Sequence, residues 1–231
     1  MSEHSLPGEP EIVVTLRRSR ALRRFSLRVS RLDGRVTLSL PARAREAEAL
    51  AFAAGQAEWI RAAMGRAAAQ VAVVPGAAVP FLGRPLPVVG VNGLRAARVT
   101  GEAVEVPPDP SRAGARAEAL FRSVARDRLV AACGIHAARL GRRFAAIALR
   151  DTRSRWGSCA PDGRLMFSWR LVMAPPEVLD YVAAHEVAHL EVADHSAAFW
   201  AVVARLCPGH AAARAWLRAE GAGLHAYRFR D

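Results

Sequence analysis

The stretch Pro175-Pro176-Glu177-Val178-Leu179-Asp180-Tyr181-Val182-Ala183-Ala184-His185-Glu186-Val187-Ala188-His189-Leu190 decides how the rest of the chain reads. Proline is tolerated in the first turn of a helix, so Pro175-Pro176 marks a helix start. Val178, Leu179, Val182, Val187 and Leu190 cover most of the circumference, which predicts a buried helix. Its last turns hold His185-Glu186-Val187-Ala188-His189, an H-E-x-x-H pattern. Residues i and i+4 stand about 40° apart around a helix and about 6 Å along it, so two imidazoles can converge on one metal ion. Glu186, next to the first imidazole, then reaches a water on the metal rather than the metal itself. Zinc would bring the pKa of that water toward about 7, and the carboxylate would take its proton. Two histidines and a glutamate are costly to bury unless paired or ligated. The alternative is a chance match made of hydrogen-bonded core histidines.

A catalytic zinc normally takes three protein ligands. Candidates for the third are His195, His210, His225, Glu191 and Glu220. On a continuous helix His195 would lie about 9 Å beyond His189, too far to share an ion, so the chain must turn between Leu190 and His195. Asp194-His195-Ser196 suits that turn, with Asp194 or Ser196 capping a following helix. The resulting H-x3-H-x5-H spacing is that of metzincins, but Val192 stands where those enzymes have glycine. His195 is the preferred ligand, with His210 and Glu220 as alternatives. Cys159 is a weaker candidate, being distant in sequence and without a neighbouring thiol.

Working outward, residues 144–150 read as a strand, and 156–159 with 164–171 as a hairpin around Pro161-Asp162-Gly163. Trp156 to Cys159 is either an edge strand beside the metal, where an extended peptide can add by main-chain hydrogen bonds, or a core hairpin. Gly157 permits close backbone approach. Tyr181, one turn before His185, either packs or donates to the reacting group. Arg170 reads as solvating a strand, in preference to binding a substrate carboxylate. Helices are expected at about 112–140, interrupted at Gly134 and stopped by Gly141, and at about 196–206 and 211–220.

Several segments together resemble the YgjP-like metal-dependent hydrolase family, usually placed among zincin metallopeptidases near the SprT-like proteins. They are Trp156-Gly157-Ser158-Cys159, Ser168-Trp169-Arg170-Leu171, Tyr181 through Leu190, and Asp194-His195-Ser196-Ala197-Ala198-Phe199-Trp200. The likeness is dense over residues 144–208 and thinner at Arg17-Arg18-Ser19-Arg20 and Trp59-Ile60. It implies zinc bound by His185, His189 and His195, with Glu186 as base. Ser168 and Asp194 depart from the family, which usually has asparagine at both places; Asp194 can still orient a ligand.

The N-terminal part reads as β-rich. Residues 12–16 form one strand, and residues 24–40 alternate through Phe25, Leu27, Val29, Val36, Leu38 and Leu40 with Asp33-Gly34 as a hairpin turn. Residues 44–69 read as one helix, and 71–111 as short strands and turns. Residues 17–45 contain ten arginines and one acid, Asp33, which is nine of the net twelve positive charges. Arg24, Ser26 and Arg28 share one face of a strand. That face is either solvated or a contact for nucleic acid or another polyanion; no aromatic residue interleaves, which disfavours stacking on single strands.

Composition sets the outer bounds. All 33 basic residues of the 231-residue chain are arginine, and a hydrophobic content of 52% excludes a disordered chain. The most apolar stretch, 71–82, is broken by Pro75, Gly76 and Pro80, so no membrane span is expected. The first residues lack a basic-then-apolar export pattern. Cys133, Cys159 and Cys207 are odd in number and far apart, which suggests free thiols and a cytoplasmic protein.

The sequence therefore predicts an α+β protein: a flexible tail (1–10), a β-rich region with one helix (11–111), and a zincin-like helical metallohydrolase domain with a small antiparallel sheet (112–231). The expected activity is hydrolysis of peptide or protein amides with one zinc per chain, although imidazole ligands also suit nickel, cobalt or iron. Two alternatives are hydrolysis of a nucleotide phosphoanhydride, for which no P-loop pattern is present, and a nucleic-acid-associated module built on residues 17–45.

Overall fold

A computed structural model describes residues 2–30, 34–65 and 70–230. The chain is mixed α+β and divides into two compact units, residues 1–70 and 71–231.

In the first unit, β1 (Ser2–Leu6), β2 (Ile12–Ser19), β3 (Ser26–Val29) and β4 (Val36–Pro41) form a sheet in the order β1-β2-β4-β3. Two helices, α1 (Glu46–Gly55) and α2 (Ala57–Gly65), follow. Alternation sends Ile12, Val14, Leu16, Val36, Leu38 and Leu40 to one face, where they form a core with Ala49, Ala53 and Ile60. β3 and β4 are antiparallel as expected; Asp33 of the expected turn lies outside the described residues, and Gly34 has φ +68°. Two expectations fail. The segment read as a tail contains β1, because Leu6 is buried in the sheet's core and residues 2–6 pair in register with β2. The single helix at 44–69 is two, since Gln56 leaves helical geometry at φ −108°, ψ 13°. Trp59 is 47% exposed, while Ile60 is fully buried.

In the second unit, β5 (Val71–Ala72), β6 (Ala78–Phe81), β7 (Arg84–Gly90), β8 (Arg98–Val99) and β9 (Val104–Val106) precede α3 (Pro110–Leu140). After α3 come β10 (Ala146–Arg150), β11 (Gly157–Cys159) and β12 (Arg164–Ser168), a 3-10 turn at Trp169–Met173, and α4 (Pro176–Ala188). The chain ends with α5 (Ala197–Leu206), α6 (His210–Ala219), a second 3-10 turn at Gly221–His225, and β13 (Tyr227–Arg228) beside β5. The expected boundary at 111 is not where the compact units part. Val73, Val79, Phe81, Leu86, Val88, Val104 and Val106 belong to the same core as α3 and α4, so 71–111 packs with the C-terminal part.

The 31-residue α3 is not interrupted at Gly134; Asp109 caps its start by accepting from the Ser111 N–H, and Gly141 ends it in the left-handed region. β11 and β12 form the expected hairpin, but β10 pairs with β12 in parallel, so the small sheet is mixed, in the order β10-β12-β11.

Arg170 overturns its expected solvated role. β12 ends at Ser168, and the 3-10 turn carries Arg170 inward until it is 8% exposed. Its guanidinium donates to both Asp151 carboxylate oxygens (2.6 and 3.0 Å) and to the Leu224 and Tyr227 carbonyls (2.9 Å each), and lies 4.7 Å from the Trp169 ring centre. One buried charge thus ties the chain terminus to the sheet. Removing it leaves two carbonyls and a carboxylate without their donor, so Arg170→Met should lower the unfolding free energy by about 3 kcal/mol in urea titration.

His225, beside this cluster, is buried against Trp156 with ring centres 5.1 Å apart. Burial, helped by the Arg170 charge, brings its pKa from 6.5 down to about 4. Between those values the unfolded chain binds a proton that the folded chain does not, so stability is lost as pH falls from about 6.5 toward 4. Burial raises the Asp151 carboxyl, but hydrogen bonds and charge from Arg170 outweigh this and hold it below its ordinary value, adding a loss at still lower pH. In metal-free buffer, the stability difference between pH 7 and pH 4.5 should be smaller for His225→Phe than for the parent chain, by urea titration at both values.

Candidate metal centre

α4 is buried along nearly its whole length and delivers His185 and Glu186 from its last turn, with His189 at its C-cap. The chain then turns through residues 190–195, as the spacing required, and brings back His195 just before α5. The turn is held by the Asp194 carboxylate, which accepts from the Ser196 N–H at 3.1 Å. The ligand atoms of His185, His189 and His195 all lie within 4.8 Å of one another. The Nε2 atoms of His185 and His195 face each other at 3.2 Å. Tetrahedral zinc with bonds of about 2.0–2.1 Å places its ligand nitrogens roughly 3.3 Å apart, so that spacing suits a shared ion.

The protonation chemistry suits a cation as well. Burial, then the neighbouring histidines, lowers the His185 pKa to about 4, and burial also lowers that of His189. Both rings are therefore neutral near pH 7, the form that ligates. His189 donates from Nδ1 to the Val192 carbonyl (3.1 Å), which leaves Nε2 with its lone pair for a metal. Phe199 stacks on the His189 ring, with ring centres 4.4 Å apart, and Trp200 lies near His195, so α5 supplies an apolar wall. Glu186 is 5% exposed, and burial pushes its pKa up to about 8 against the opposing charge of Arg155. A bound dication would oppose that rise.

The other candidates lie elsewhere. His210 bonds the Cys207 carbonyl through Nδ1, and Glu220 caps α6. Glu191 lies within ion-pair distance of Arg142 and Arg205. His225 is in the Trp156 contact described above. Tyr181 is 5% exposed and packs edge-on against the His185 ring, and Arg170 is consumed by Asp151 and the chain terminus. Cys159 does face the histidines across a cleft of about 680 Å³, whose lining also includes Arg155, Gly157, Ser158 and Glu186. β11 forms one wall of this cleft and is the edge strand of its sheet, so its outer side is unpaired among the described residues.

A family model described as the YgjP-like metallopeptidase domain matches residues 23–220. The chain belongs to the YgjP-like family. Among solved structures, the metallopeptidase zymogen of Pyrococcus abyssi abylysin is similar at 24% identity over 42% of this chain and 92% of that one, with a TM-score of 0.34. No curated protein matches the chain. As a member of the family it is a metal-dependent hydrolase, and no helix among the described residues is long and apolar enough to cross a membrane.

Two features of this YgjP-like site were not anticipated from residue types. The Val192 carbonyl that orients His189 is a backbone group, and its identity leaves no mark in the sequence. Gly157 was read as making room for close approach, but what approaches is Glu186. A Cβ at position 157 would meet the Glu186 Oε1, Cγ and Cδ atoms at 2.5–2.7 Å. Gly157→Ala must therefore push the carboxylate aside while leaving the histidines untouched. It should retain metal by elemental analysis and lose hydrolytic turnover on the order of 10–100-fold, since displacement of about 1 Å carries costs of that size.

Proposed function

We propose that the chain is a zinc peptidase in which His185, His189 and His195 hold the metal and Glu186 carries the proton. The observation that supports this most is the convergence of three imidazoles beside a buried carboxylate, at a cleft walled by an edge strand. Zinc at this position would polarise a carbonyl oxygen and acidify water, because imidazole nitrogens leave a tetrahedral ion with an open position.

The chain's own residues account for the remaining steps. The outer edge of β11 pairs with an extended peptide through main-chain hydrogen bonds, which aligns the scissile bond with the histidines. Glu186 accepts a proton from the attacking water and returns it to the departing amine nitrogen. Phe199 and Trp200 cover one side of the histidines, and Val192 keeps His189 in the ligating tautomer.

A second reading is favoured by one observation. Arg155 lines the cleft, and Arg142 and Arg143 line an adjoining cavity of about 530 Å³ that shares Cys159, Ala160, Pro161 and His189 with it. Such arginines neutralise phosphates, so the same centre suits attack on a phosphoanhydride. Assaying zinc-loaded protein against a peptide library and against nucleoside triphosphates separates the two.

Purified protein should hold about one zinc per chain, and His185→Ala with His189→Ala should abolish it; unchanged metal content would remove the site. Glu186→Gln should keep zinc and lose turnover by about 10²-fold or more; retained activity would remove Glu186 as proton carrier.

A further inference from the structure

The sheet of the first unit has an open face that the metal centre does not use. Alternation puts Val14, Leu16, Leu38 and Leu40 into the core, so the residues between them face outward. Strand register orders those residues into rows. Arg17 of β2 lies opposite Ser39 of β4, which lies opposite Ser26 of β3. In the next row, Thr15 lies opposite Thr37, and Thr37 opposite Arg28. The centre of the face is thus four short hydroxyl side chains, with an exposed arginine on either side. Strands are spaced by about 4.8 Å, so the backbones bearing Arg17 and Arg28 are roughly 10 Å apart across the face.

More charge gathers at one end. The connection from β2 to β3 starts beside Arg17 and ends at Ser26, and it carries Arg20, Arg23 and Arg24, all exposed. Arg18 points to the other side, where it donates to the Ala42 and Ala44 carbonyls. Between residues 12 and 45 the sequence has one acid, Asp33, which lies outside the described residues. Glu3 shares the face, at the β1 side, opposite Thr15.

We propose that this face binds the phosphodiester backbone of a nucleic-acid duplex, with Arg17, Arg20, Arg23, Arg24 and Arg28 on phosphates and the serine and threonine hydroxyls donating between them. Arginine and hydroxyl donors are the groups that contact phosphate oxygens, and they carry no base sequence information. Two observations favour a duplex over a single strand and over a membrane surface. No aromatic side chain stands in the rows, so unpaired bases find no stacking platform. Val13 is the only large apolar side chain exposed on the face among the described residues, too little for a membrane surface, where apolar groups must enter the lipid boundary.

The test is fluorescence anisotropy of the full chain with a labelled DNA duplex of roughly 20 base pairs, titrated from about 50 to about 200 mM salt. Binding at micromolar concentration is expected, with log affinity falling against log salt at a slope of about −4 to −5, since each phosphate contributes about −0.9. Arg17→Glu with Arg28→Glu should weaken binding by about tenfold or more and reduce the slope by about 2. Arg17→Gln with Arg28→Gln should act in the same direction with a smaller charge change. Arg116→Glu with Arg128→Glu, exposed residues of α3 that carry the same change in net charge, should keep most of the affinity. Absence of binding at low salt overturns the proposal. So does equal loss in the α3 variant, tighter binding of the matching single strand, or preference for vesicles of phosphatidylcholine and phosphatidylserine.

Discussion

The second unit is organised by the need to bury α4 while leaving its last turn open on one side. Two imidazoles and a carboxylate leave water with that helix, and an unpaired polar group in the interior is strongly unfavourable. The neighbours are chosen accordingly. Aromatic rings of α5 cover the histidines, the Val192 carbonyl satisfies one ring nitrogen, and the edge strand β11 closes over Glu186. Nδ1 of His185 is among the buried ring nitrogens that have no partner among the described residues. Gly157 is a close constraint on the site, because a single carbon there would clash with the Glu186 carboxylate.

A second buried charge supports the first. Arg170 joins the end of β12 to Asp151 and to the carbonyls of the chain terminus, and this places Trp156 and His225 against one another behind β11. The edge strand is thereby backed by a cluster whose charges are paired, and its position relative to α4 follows. Residue type misled here. Arginine in a strand is most often solvated, but the strand ends at Ser168 and Arg170 is buried in the 3-10 turn that follows.

The division of the chain shows a similar contrast. Proline and glycine in residues 71–111 read as a join between halves. The short apolar runs among them, Ala78–Phe81, Arg84–Gly90 and Val104–Val106, instead pack their alternate side chains into the core of α3 and α4. The net charge also resolved unevenly. Residues 17–45 hold ten arginines against one acid, while the buried helix α4 carries no arginine.

The candidate metal-binding set was legible because it depends on local geometry. H-E-x-x-H on a helix already places two imidazoles on one face, and a turn after Leu190 was required by helix rise alone. The hairpin around Gly163, the ends of α3 and the alternation in β2 and β4 were legible for the same reason: each is set by residues within a few positions of one another. What tertiary structure decided was every relation between distant segments. It brought His195 rather than His210 or Glu220 beside His185 and His189, put Glu186 against Gly157, drew Arg170 inward, paired residues 2–6 with β2, and assigned 71–111 to the second unit. These depend on which apolar surfaces meet and which charges find partners across the core, and neither is encoded in the spacing of residues along one element.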